Sequence, residues 1–132
     1  MDTSEVYRKM SNRPVIQGQR TEEFWRRGDC SFLSIRGESF FYIASDNDSD
    51  SHVPGEIWLP RIEDWVEMLK PLGTFDLIWD GYEFSVALVE NEALDPEKYL
   101  RGDTAEQALC QVWMHTQGFE WIEEKWQKNK NS

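Results

Sequence analysis

Two histidines and two cysteines are the chain's whole stock of imidazole and thiol chemistry. His52 opens the run His-Val-Pro and His115 the run His-Thr-Gln, so neither begins the HxT or HxS pair of a two-histidine phosphoesterase. No G-x-S-x-G elbow offers a serine to either imidazole. Cys30 and Cys110 belong to no C-x-x-C or Cys/His cluster, which argues against a zinc ribbon and a thioredoxin-like redox centre. Both are expected to be free, partly buried thiols in a reducing compartment. His115 falls near the end of a helical pattern, where a cation is favoured, and reads as an ordinary helix-end histidine.

Carboxylates are the abundant group. There are 25 acids against 14 bases, a formal charge of -11 and a sequence pI near 4.6. With so many, pairs such as Asp76 and Glu83 arise by chance and do not mark an acid-base couple. The run Asp46-Asn47-Asp48-Ser49-Asp50-Ser51 starts like a calcium loop. Ser51, however, stands where the sharp turn needs glycine, and Ile57 where a bidentate glutamate closes such a site. The run is read as a solvated acidic loop that holds no metal. Neither GxGxxG nor the P-loop pattern occurs, so no phosphate cradle is written in. The expectation is a protein that is not an enzyme, with no catalytic residues and no cofactor.

The acids are unevenly spread. Residues 31–90 hold twelve acids and three bases, whereas residues 1–30 hold five and six, among them Arg8, Arg13, Arg26 and Arg27. An acid excess of this size opposes a grip on nucleic-acid phosphates and docking to anionic lipid. It favours a basic partner drawn in by long-range attraction. The candidate contact carboxylates are Glu63, Asp64 and Glu67 on a helix and Asp46, Asp48 and Asp50 in the acidic loop. The candidate anchors are Trp25, Trp58, Trp121 and Trp126, which lie outside the best-defined apolar stripes. Tryptophan is enriched at interface hot spots. The other three of the seven tryptophans, Trp65, Trp79 and Trp113, fall on stripes and are assigned to the core.

The elements that must position these groups follow from hydrophobic period. A length of 132 residues suits one domain over 1–132, and an aromatic content of 14% marks a folded one. A short helix is expected over 3–11 with Pro14 as its stop, then an irregular stretch to 23. Strands 32–36 and 39–44 flank Gly37-Glu38 as a two-residue hairpin, with Ile35 opposite Phe40 and Leu33 opposite Tyr42. Apolar residues on both of its faces place it inside a sandwich.

A helix over 61–70 carries the stripe Ile62, Trp65, Val66 and Leu69, which turns Glu63, Asp64 and Glu67 to other faces. A second hairpin, 74–89, turns at Asp80-Gly81 and sets Trp79 opposite Tyr82, Leu77 opposite Phe84 and Phe75 opposite Val86 on one buried face. After a loop over 90–102, Thr104 caps a helix over 104–117, with Gln107 at the third position and Gly118 as the stop. Residues 127–132 are expected to fray. The sum is an α+β fold in which both hairpins form one antiparallel sheet with the helices packed on it.

Trp58-Leu59-Pro60-Arg61, with Asp64, Trp65, Met68 and Leu69 after it, is similar to segments of small phage and prophage proteins. So is the run Asp103-Thr104-Ala105-Glu106-Gln107-Ala108-Leu109-Cys110, leading into Phe119-Glu120-Trp121 and Lys125-Trp126. The layout over about residues 56–126 resembles the phage ABA-sandwich type. The first hairpin and the acidic loop are not part of that pattern. The resemblance implies an accessory protein in a bacterial cytoplasm and carries no catalytic residues with it.

No apolar run approaches the ~20 residues of a membrane-spanning helix, and MDTSEVYRKM lacks the apolar stretch of a signal peptide. A cytoplasmic protein with a protein partner, no direct nucleic-acid binding and no membrane contact is therefore expected. The leading functional reading is binding of a host or phage macromolecule through an acidic surface, with inhibition of a defence or nucleic-acid enzyme as one form of it. The alternative is sequestration of a small nucleotide signal, for which the aromatics and the N-terminal arginines speak.

Overall fold

The computed structural model describes residues 1–19, 30–35, 38–43, 56–88 and 100–128. Their fold is α+β with antiparallel sheets, as the mixture of helical and alternating periods requires. The two expected hairpins do not share a sheet. Each lies in a three-stranded sheet of its own, within one of two compact units.

The first unit in chain order is Thr3–Arg61. It opens with helix α1 (Glu5–Ser11), whose N-cap Ser4 accepts from the Tyr7 N–H at 3.2 Å. Pro14 does not close this helix. It begins a further turn of helix, α2 (Pro14–Gln17), where its fixed φ and missing N–H suit a first helical position. Strands β1 (Cys30–Ile35), β2 (Glu38–Ile43) and β3 (Ile57–Leu59) form an antiparallel sheet in the order β2-β1-β3.

Ile35 pairs with Glu38 and Leu33 with Phe40, so the connection is residues 36–37 and the register is shifted by two from the expected one. A shift of two keeps every residue on its face. Tyr7, Met10, Ile16, Trp58 and Leu59 make the core of this unit. The Gln17 side chain ties α2 to β3: its Nε2 donates to the Trp58 carbonyl and its Oε1 accepts from the Trp58 N–H, both at 2.9 Å. The Tyr7 hydroxyl donates to the Pro60 carbonyl.

The second unit comprises Met1–Asp2 and Ile62–Ser132. Helix α3 (Ile62–Leu69) runs into a 3-10 turn (Lys70–Leu72) that contains Pro71 and is capped by Gly73. Strands β4 (Phe75–Trp79), β5 (Phe84–Leu88) and β6 (Leu100–Gly102) form a sheet in the order β4-β5-β6. Helix α4 (Ala105–Thr116) follows, then a hairpin of β7 (Phe119–Ile122) and β8 (Lys125–Lys128).

Helix α4 is buried on more than its expected stripe. Ala108, Leu109 and Val112 are joined in the core by Cys110 and Met114. It packs against α3, β5, β6 and β7, and an element with neighbours on several sides needs apolar residues on several faces. Trp65 of α3 meets Trp113 of α4 with ring centroids 6.0 Å apart. Gly102 of β6 lies so close to α4 that a Cβ there would stand 2.7 Å from the Ala108 nitrogen.

Candidate binding surface

The turn of the second hairpin is set by a carboxylate. Asp80 accepts from the N–H groups of Tyr82 and Glu83, both at 2.9 Å, and its own N–H donates to the Glu83 carbonyl at 3.3 Å. Asp side chains compete in this way with backbone pairing at turns. Gly81 takes φ 97°, a value open to glycine. The connection is therefore residues 80–83, and Trp79 pairs with Phe84, Leu77 with Val86 and Phe75 with Leu88. Those N–H groups hold the Asp80 carboxyl below its ordinary value, Glu83 contributing most and Tyr82 next.

The shift of two leaves each residue on its expected face, but the burial differs from the expected one. Helix α4 packs on β5 and β6, so Val86 is fully buried while the tip of the hairpin projects beyond it. Trp79 is 55% exposed and Tyr82 91% exposed, with Leu77 at 39% and Ile78 at 45%. Trp79 is not a core residue. It leans on Phe84 with ring centroids 4.7 Å apart. Large apolar groups gathered on one projecting element mark an interaction surface, whereas scattered ones do not. The sequence signal was available: Ile78 occupies the face that should be polar, and aromatics stand on both sides of the Asp80-Gly81 pair.

The acidic helix face is partly as expected. Glu63 and Glu67 of α3 are exposed, and Glu67 lies 3.6 Å from Lys70. Asp64 is buried, contrary to its assignment as a surface contact. The buried stripe runs through Asp64, Trp65 and Leu69 with Met68 half-buried, while Ile62 is exposed and Val66 only half-buried. The helix is thus rotated from the expected setting, because Trp65 must face Trp113. Around the hairpin, Asp76 and Asp80 are exposed, and Glu83 is bonded to Arg101 at 3.1 Å.

The four candidate tryptophan anchors divide. Trp58 is 3% exposed and belongs to the core, with its indole N–H buried and unbonded, so it is not a surface anchor. Trp121 and Trp126 are half-buried and pair directly across the β7–β8 hairpin, edge to face, at 4.9 Å. Trp25, Asp46, Asp48, Asp50 and His52 lie outside the described residues.

Neither thiol is poised to react. Cys30 and Cys110 are free and buried, and burial pushes both thiols above the ordinary thiol value. Among the described residues no three His, Cys, Asp or Glu side chains gather as metal ligands, and no helix is long and apolar enough to cross a membrane.

A second feature escaped the sequence reading. The Arg8 guanidinium lies 4.3 Å from the centroid of Phe32 and 5.9 Å from that of Phe41. The two rings form a cross-strand pair 5.4 Å apart. Phe41, expected inside a sandwich, is exposed, and the arginine rather than a second sheet lies over the pair.

Compared with protein-family models, curated proteins and solved structures, the chain matches none.

Proposed function

We propose that the chain is a non-enzymatic binding protein that engages a basic macromolecular partner, and that the β4–β5 hairpin makes the contact. The observation that carries this reading is the joint exposure of Leu77, Ile78, Trp79 and Tyr82 on one projecting element. Exposed Trp and Tyr supply large contact areas at small entropic cost, which makes them common anchors. Asp76 and Asp80 on the hairpin and Glu63 and Glu67 on α3 are exposed acids, and the whole chain carries -11. That field accelerates encounter with a cationic surface and repels nucleic acid. A bacterial host is part of the same proposal, and it rests on the sequence resemblance of about residues 56–126 alone.

The test is affinity capture from bacterial lysate with the wild-type chain and with a Trp79→Ser, Tyr82→Ser variant. A basic protein held at low salt by the wild type, absent from the variant and released as salt rises is the expected result. Recovery of the same partner in equal amount by both proteins removes the hairpin from the contact.

The Arg8–Phe32–Phe41 cluster favours a second reading, in which the chain sequesters a small anion such as a nucleotide signal. A guanidinium stacked on aromatic rings keeps its donors available for a phosphate or carboxylate. Mass spectrometry of small molecules released by heating the purified protein decides for or against it.

A further inference from the structure

We propose that β4 receives an extended cationic segment of the partner as a fourth strand of the β4-β5-β6 sheet. The inference rests on the hairpin reading above and adds its mode: main-chain pairing at an open edge. A three-stranded sheet has two edges, and here they are treated differently. At the β6 edge, the Gln111 side chain of α4 donates to the Arg101 carbonyl at 2.5 Å. Among the described residues β4 pairs with β5 alone.

An unpaired edge strand displays a row of free N–H and C=O groups, and proteins that must avoid pairing blunt such an edge with Pro, Lys or a bulge. Strand β4, Phe-Asp-Leu-Ile-Trp, has none of these, and its one charge, Asp76, repels a second acidic strand but not a cationic one. It holds no Pro and no Lys, and its five pairs with β5 run in unbroken register. Every residue from 76 to 79 is exposed. Phe75, Leu77 and Trp79 alternate onto one face and Asp76 and Ile78 onto the other, since successive side chains change face.

The alternation specifies the occupant. Apolar residues at every second position of the incoming segment extend the Phe75/Leu77/Trp79 face, and Lys or Arg between them meets Asp76 on the other. Among the described residues Asp76 makes no ion pair, and the Asp80 carboxylate at the end of the strand accepts from backbone N–H groups of its own turn. A second copy of the chain fits the apolar face equally well, but it brings another -11 charges and a second Asp76 and Asp80 to the same place. Like charges disfavour that pairing, and a cationic segment is favoured for the same reason.

The probe is a ten-residue peptide alternating Lys and Val, titrated into the full-length chain. Its control is the same peptide with every second backbone nitrogen methylated, which keeps charge and side chains but removes strand hydrogen bonds. Amide hydrogen exchange over residues 75–79 is the readout. The alternating peptide is expected to slow this exchange about tenfold or more, the methylated one to leave it unchanged, and Asp76→Lys to abolish the effect. Equal binding of both peptides at the hairpin overturns strand addition and leaves the hairpin contact standing. Binding of neither overturns strand addition, and if the Trp79→Ser, Tyr82→Ser variant then captures the same partner as wild type, the hairpin contact falls with it. Protection of residues 75–79 in the chain alone, growing with its concentration together with a dimeric mass, replaces the cationic segment by a second copy.

Discussion

Asp2 and Thr104 are joined by a 2.6 Å hydrogen bond in which the threonine hydroxyl donates to the carboxylate. The same hydroxyl accepts from the Gln107 N–H at 3.2 Å and so caps α4. The carboxylate oxygen that takes the Thr104 proton also accepts from the Gln107 side chain at 2.8 Å. A negative charge from the start of the chain is thereby fixed at the positive end of the longest helix, which fixes the capping groups and complements the helix dipole. Asp2→Ala is expected to lower stability by about 1.5–3 kcal/mol, the range for hydrogen bonds to a charged group. Urea unfolding, monitored by tryptophan fluorescence, measures it, and an unchanged midpoint shows that the contact does not stabilise the fold.

Two tryptophans once assigned alike to the core should separate in the same measurement. Trp65 is fully buried against Trp113, and Trp65→Ala is expected to cost about 3–5 kcal/mol through lost burial and a residual cavity. Trp79 is more than half exposed, and Trp79→Ala should cost about 1 kcal/mol or less, since it loses only its lean on Phe84. Equal costs for the two would return Trp79 to the core.

The contrast between them shows what the sequence could carry. The cap at Thr104, the length of α4 and the burial of Trp65 and Trp113 follow from local spacing, and local spacing is legible. The position of Trp79 depends on how far α4 reaches across the sheet, a tertiary matter that periodicity does not encode. The register itself turned on a single side chain: Asp80 bonds to two N–H groups and lengthens the connection to 80–83, although Asp-Gly is the usual sign of a two-residue turn. The β7–β8 hairpin was missed because its turn residues, Glu123 and Glu124, carry no turn signature. For the proposed surface, the exposed Trp79 is a residue that alternation assigns to the core, so pattern pointed away from it.

Gly102 is required by the contact between β6 and α4. A methyl group there would meet the Ala108 nitrogen at 2.7 Å and Gln107 Cβ at 2.8 Å, and helix backbone cannot swing aside as a side-chain end can. Gly102→Ala is expected to destabilise by about 1–3 kcal/mol, the usual cost of overpacking. Thermal melts compared with the wild type test this, and an unshifted midpoint would mean the strand backs away from the helix at no cost.

Glu123 and Glu124 link β7 to β8 with φ of 51° and 61°, both in the left-handed region. Each non-glycine residue there carries a penalty of roughly 1 kcal/mol or more, and Asn-Gly is the pair that suits such a turn. Glu123→Asn with Glu124→Gly should therefore raise stability by about 1–2 kcal/mol in urea titration. A fall in stability would show that the glutamate side chains hold the turn through contacts worth more than the backbone penalty.

Cys110 supplies a test of burial through pH. Its thiol is pushed well above the ordinary value of 9.0 by desolvation alone. The folded state therefore keeps a proton that the unfolded state sheds, and the sign follows: below pH 9 the thiol leaves stability unaffected, and above it stability falls as pH rises toward the folded value. The limiting slope is about 1.4 kcal/mol per pH unit for one proton. Lysines and tyrosines titrate in the same window, so the comparison must be with Cys110→Ala, whose own profile lacks this component. The difference between the two unfolding free energies is expected to be flat from pH 6 to 8 and to decline above 9. A difference that stays flat to pH 10.5 would place the thiol in contact with solvent, and with it would fall the assignment of α4 as a helix enclosed on several sides.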